Sequence, residues 1–202
     1  QFWTSILCKH LFFKLCRNSS FISIENTSYK GGIPYLLTSK IGFFGRLIEE
    51  SKDAIAPIAD ALAKRFAKAT VRSTASFLLS WIQSIPYDTI ESRMTSNGSG
   101  FLPPLRLIDA NRGDCDSKVA LMASILKRPY PKMRTTIIYV PQHALLGMNI
   151  SHVSEDYLLS IDGLDYTLSE PVGPGQIEFA EIDEKSKRYI ESNYYVSENL
   201  FN

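Results

Sequence analysis

A chain of 202 residues with a hydrophobic share of 45% is long enough to bury one core and too apolar for a disordered or low-complexity protein. Its net charge of +1 gives no electrostatic reason to expect a nucleic-acid or polyanion partner. Three cysteines cannot all pair with one another inside the chain.

The apolar, aromatic run from Phe2 to Leu15 is interrupted by Lys9, His10 and Lys14, which makes it too short and too charged to span a bilayer. It also lacks the small-residue cleavage site of an intact signal peptide. Three readings fit it: a core helix, an amphipathic helix lying on a membrane surface, or the remnant of a targeting segment in a chain that opens at Gln1. On a helix, Cys8 and Cys16 would stand about 12 Å apart at their α-carbons, too far for a bridge. Cys115 is therefore expected as a thiol, and cysteine usage leaves the redox compartment open.

Asn18-Ser19-Ser20 breaks this first segment, and residues 18–40 read as irregular. A short helix is expected over Ile41 to Glu50, weakened by Gly42 and Gly45. Ser51 then reads as the N-cap of a separate helix with an apolar stripe of Ala54, Ile55, Ile58, Ala61, Leu62 and Phe66, and with Pro57 in its second turn. Phe77, Leu78, Trp81, Ile82 and Ile85 define a further helix from Val71 to Ile85, ended by Pro86. Ser92 to Pro104 reads as a loop by its Ser, Asn, Gly and Pro content. A helix over Asp116 to Leu126 follows, burying Val119, Ala120, Met122, Ala123 and Leu126 and stopped by Pro129 and Pro131.

Beyond it the pattern changes to short runs rich in strand formers: Thr135 to Val140, His143 to Ile150, Tyr157 to Ile161 and Leu164 to Leu168. Asp162-Gly163 is a two-residue hairpin signal that makes the last two runs antiparallel neighbours. The segment from Glu181 to Ser192 is expected to form a short closing helix. Helices first and an antiparallel sheet after them predict an α+β fold.

The chemistry is concentrated at Arg112-Gly113-Asp114-Cys115-Asp116-Ser117, which opens the Asp116 helix. A cysteine at a helix N-terminus lies where unpaired N–H groups and the macrodipole favour a thiolate, the nucleophilic form. That effect is worth roughly 0.3–1 kcal/mol, or about one pKa unit at most, and the flanking Asp114 and Asp116 oppose it. A competent Cys115 nucleophile therefore needs a histidine to pair with, and Asp114 is expected to act as the N-cap. His143, which begins a strand-like run after a Pro-Gln turn, is the candidate general base and acid. His152 is its rival, and His10 reads as a surface residue.

Glu170, after the last strand-like run, is the candidate that orients the imidazole. Asp165 is the rival carboxylate, although five residues of strand parity set it on the other pleat face from Glu170. Gln83 is a possible oxyanion donor or a support of its helix end, with the backbone N–H of Cys115 as the other donor. No Cys-x-x-Cys, His-x-x-x-His or calcium-loop pattern occurs, so neither a metal nor an organic cofactor is expected.

Gly-Asp-Cys-Asp before a helix, His-Ala-Leu-Leu-Gly on a strand and Ser-Glu-Pro after the next strands resemble the bacterial transglutaminase-like cysteine enzymes of the papain-like group. The stretch Phe77 to Tyr87, ending in Ile-Pro-Tyr, resembles the helix and turn that precede the cysteine in that family. The resemblance runs from about Ser76 to Gly175, and the short interval from Cys115 to His143 separates the chain from the papain and cathepsin pattern.

It implies a papain-like, transglutaminase-like core over 71–202 in which the cysteine helix packs on an antiparallel sheet, with 1–70 as a helical extension packed on that core. In the family the carboxylate is usually Asp before Pro, with Glu as an alternative. The implied activity is a cysteine peptidase or amide hydrolase acting through a thioester on a protein or peptide. The alternatives are a transglutaminase or deamidase acting on protein glutamine, and a catalytically silent binding module. The family also leans towards a bacterial periplasmic or secreted setting.

Overall fold

The computed structural model describes residues 43–90, 101–173 and 175–200. The readings for Phe2 to Leu15 and for residues 18–40, together with Cys8, His10, Cys16 and most of the Ser92 to Pro104 loop, lie outside the described residues. The fold is α+β: helices gather in the first half and a five-stranded antiparallel sheet in the second.

Helix α1, Phe43–Arg65, is one continuous helix where two were expected. The reason is a single buried stripe, Phe44, Leu47, Ile48, Ile55, Ile58, Ala59 and Leu62, that runs through Ser51 without a break in helical spacing. Burying that stripe outweighs the capping tendency of Ser51 and the propensity cost of Gly45. Pro57 is tolerated inside the helix on its exposed side.

Helix α2, Val71–Gln83, begins at Thr70, whose side chain accepts a hydrogen bond from the Ser73 N–H at 3.1 Å. Helix α3, Pro104–Ala110, was not foreseen: Pro104 stands in its first turn, and Asn111 closes it in the left-handed region with φ 48°. Helix α4, Cys115–Lys127, is buried without a break from Asp116 to Leu126, so it is the central helix rather than an amphipathic one. It packs against α1, α2 and α3 and also against the sheet.

The strands are β1 (Thr135–Val140), β2 (His143–Met148), β3 (Leu158–Ile161), β4 (Leu164–Ser169) and β5 (Val196–Asn199), in spatial order β3-β4-β2-β1-β5. Asp162 and Gly163 turn the β3–β4 hairpin with φ of 51° and 78°, as a two-residue turn with both central residues left-handed requires. Strand β5, which pairs with β1, was not foreseen either. Helix α5, Glu184–Glu191, falls within the segment expected to be helical.

The sheet separates two apolar clusters. Ile137, Tyr139, Ala144, Leu146 and Met148 face the cluster built on α1, α2 and α4. Ile138, Val140, Leu145, Tyr166 and Leu168 face a second cluster closed by Ile182 and by Ile190 of α5. Among the described residues no helix is long and apolar enough to cross a membrane.

Candidate active site

The segment between α2 and α3 joins the two halves of the site. Its Tyr87 forms a parallel bridge with Gly113: the Gly113 N–H donates to Pro86 O at 3.1 Å, and the Asp88 N–H donates to Gly113 O at 3.2 Å. A Cβ at Gly113 would lie 2.6 Å from Leu107 Cδ1, so a larger residue there would have to displace that buried side chain. This bridge fixes the turn from which α4 starts. Asp114 is its N-cap, extended at φ −85° and ψ −177°, and its carboxylate accepts from the Ser117 N–H at 3.0 Å. Cys115 is thereby the first residue of α4, half-buried, with Sγ 3.6 Å from Asp116 Oδ1.

The end of α2, just before this segment, reaches Glu170. Gln83, at the end of α2, donates through Nε2 to the carbonyls of Glu170 at 3.0 Å and Ile177 at 2.9 Å. Both amide hydrogens are therefore committed, which makes Gln83 a support of the Glu170 loop rather than an oxyanion donor. Gly173 lies against the Gln83 backbone so closely that a Cβ would stand 2.3 Å from Gln83 O.

Glu170 is 1% exposed, and every one of its acceptor contacts is specific. Its Oε1 bonds His143 Nε2 and takes a longer contact of 3.5 Å from the Ser186 hydroxyl. Its Oε2 accepts from the Asp183 N–H at 2.8 Å. His143 is the first residue of β2 and pairs with Val140 across the hairpin. Strand alternation puts its side chain with Val140 and Leu145, on the α5 side of the sheet, and carries Glu170 to the same side through Leu168. Asp165 falls on the opposite pleat face, exposed, and bonds the Ser160 hydroxyl. His152 is exposed in the loop after β2.

The two directly joined members of the expected triad are thus His143 and Glu170. Cys115 reaches the sheet from the other side: α4 packs on β2, and Asp116 lies close enough to Tyr139 of β1 to influence its phenol. Burial, then Glu198 and Asp116, push the Tyr139 phenol far above its ordinary range. Its OH donates to Glu198 Oε2 at 2.8 Å.

Three participants were not singled out from the sequence. Asp183 caps α5: its carboxylate accepts from the N–H groups of Lys185 at 2.6 Å and Ser186 at 3.2 Å and from the Ser186 hydroxyl at 2.6 Å. Burial raises the Asp183 carboxyl, but the hydrogen bonds from Ser186 and Lys185 outweigh that and bring it to about 2. Ser186 is 2% exposed and touches both carboxylates. Lys118, 0% exposed, lies on the first turns of the Cys115 helix. Asp183 before a short helix was a readable N-cap, but nothing local points it at Glu170.

A pocket of about 260 Å³ opens beside the imidazole, with walls that include Pro141, Val172, Lys185 and Tyr189. His143, Glu170 and Asp183 each offer one ligand atom within 4.8 Å of the others. Those carboxylate oxygens already serve His143, the Asp183 N–H and the α5 cap, so a metal ion would have to displace them. The donor set fits a hydrogen-bonded orienting pair better than a cation site.

Comparison with protein-family models, curated proteins and solved structures finds no match to this chain.

Proposed function

We propose that this chain is a cysteine peptidase or amide hydrolase with a papain-like, transglutaminase-like core, in which Cys115 is the nucleophile, His143 the general base and acid, and Glu170 the group that orients His143. The observation that carries the reading is the bond between His143 Nε2 and the buried Glu170 Oε1. A carboxylate held there accepts a hydrogen bond from Nε2–H, so the neutral ring carries its proton on Nε2 and keeps its lone pair on Nδ1, the atom that must receive a proton from the nucleophile. A buried histidine–glutamate contact alone has structural uses. Its position at the strand next to an N-capped cysteine helix favours the catalytic one.

In the proposed reaction the Cys115 thiol gives its proton to His143 Nδ1, which requires the imidazole, on the α5 side of the sheet, to meet the thiol past the open end of β2. The thiolate attacks the amide carbonyl carbon, and the oxyanion accepts the backbone N–H of Cys115. The C–N bond breaks as His143 returns the proton to the leaving amine, leaving a thioester on Sγ. Water, deprotonated by His143, attacks the thioester; the C–S bond breaks, and the acid product and the thiol are released. Glu170 keeps accepting the Nε2–H bond throughout and stabilises the imidazolium. The family resemblance favours water over an amine as the acceptor, hence hydrolysis over transamidation.

The test is iodoacetamide labelling, read at the Cys115 peptide by mass spectrometry, between pH 6 and 9. Labelling is expected to persist towards pH 6 in the unmodified protein and to lose that persistence in His143→Ala. Glu170→Gln should fall between the two. A Cys115 whose reactivity drops away below pH 8, like an unperturbed thiol, overturns the proposal.

A further inference from the structure

Lys118 lies one helical turn beyond Cys115, and its side chain is wholly buried. Side chains on a helix lean towards its N-terminus, so a lysine at this position extends back over the first turn. The ammonium does this and donates to Ile85 O at 2.6 Å, in the segment whose next residues bridge to Gly113. Among the described residues Ile85 O is its one hydrogen-bond acceptor. Burying a lysine with a single neutral acceptor is costly, and a methionine would fill the same space without that cost. The compensation lies in its charge environment: Asp114, and Cys115 when ionised, favour its protonated form.

We propose that Lys118 is a positioning residue for the reaction above, whose buried ammonium supplies the positive charge that offsets Asp114 and stabilises the Cys115 thiolate. The inference rests on Cys115 being the nucleophile. The helix dipole alone is about cancelled by the two aspartates, so without a cation the thiolate at this turn has little support. The ammonium is brought down by burial to about 8, so it remains mostly protonated at neutral pH. The other titratable groups near this end of α4 are Asp116, the Asp88–Arg112 pair at 3.2 Å on the flanking loop and Tyr139 on β1. Glu49 on α1, together with Lys127, belongs to the far end of the helix.

The experiment measures Cys115 alkylation against pH in Lys118→Met and in Lys118→Gln, the second keeping a donor for Ile85 O without the charge. Each substitution is also made in a His143→Ala background. Both neutral variants are expected to move the midpoint of the labelling profile up by about one pH unit, corresponding to a thiol about one pKa unit higher. The same shift should appear on top of the His143→Ala profile. If His143→Ala changes nothing while the Lys118 shift is present, the triad reading fails and this inference stands. A folded neutral variant with an unchanged pH profile overturns the role of Lys118. Loss of near-ultraviolet circular dichroism in both neutral variants overturns it as well, because the core itself then requires the lysine.

Discussion

Gln83 and Glu170 are joined side chain to backbone, with the glutamine amide 3.0 Å from the glutamate carbonyl, so the last turn of α2 holds the residue that holds His143. The second amide hydrogen, on Ile177 O, ties down the loop beyond it. Gly173 packs on the same Gln83 carbonyl. Gln83→Ala leaves two carbonyls in a buried region without this donor, which costs roughly 1–3 kcal/mol for each that water cannot reach. The melting temperature is therefore expected to fall. Gly173→Ala should fall in the same direction, since its Cβ meets backbone rather than a movable side chain. In both variants labelling of Cys115 at pH 9, where the thiolate forms without help, is expected to stay near the unmodified level. Loss of that labelling would mean that Gln83 organises the cysteine turn as well.

Asp114 serves the helix as a cap and opposes the thiolate as a charge, and substitution separates the two. Asp114→Asn keeps an oxygen for the Ser117 N–H and removes the charge beside Cys115. Thermal stability is expected to change little, while the midpoint of the labelling profile falls by up to about one pH unit, a thiol up to about one pKa unit lower. Asp114→Ala loses the cap too and should cost about 0.5–2 kcal/mol of stability. Urea unfolding of the two variants side by side measures the cap, and the labelling midpoint measures the charge.

The parts of the molecule that local chemistry dictates were legible in the chain. Thr135 to Val140 and the Asp162-Gly163 turn fall where their residues predict, and the cysteine helix differs from its expected span by one residue at each end. Asp114 as N-cap follows from residue type and position alone. What the chain does not display is which distant groups meet. Ser51 is a sound capping residue, yet a continuous stripe from Phe44 to Leu62 absorbs it into α1, because the partner surface decides. Strand β5, Val-Ser-Glu-Asn, lacks the apolar alternation of a half-buried strand and is recruited by the edge of β1. Asp183 and Ser186 bear on Glu170 only because α5 folds back over the sheet. Lys118 reads as a charged surface residue until its helix proves to be buried on every side.

Asp183 makes the docking of α5 sensitive to acid. Its carboxyl is held at about 2 in the folded protein, below the ordinary aspartate value near 3.9. A group whose pKa is lowered by folding adds stability that is fully present above its unfolded value and is lost as pH falls through the folded one. The contribution of Asp183 is therefore complete above about pH 4 and disappears between about pH 4 and pH 2. Asp183→Asn keeps an oxygen for the Lys185 and Ser186 N–H groups but cannot titrate. Melting temperatures of the two proteins from pH 6 to pH 2 are expected to converge on acidification, with the unmodified protein falling more steeply. Other carboxylates titrate in the same window but are common to both, so the difference belongs to Asp183. Parallel curves would mean that the cap works through hydrogen-bond geometry alone, with no contribution from its charge.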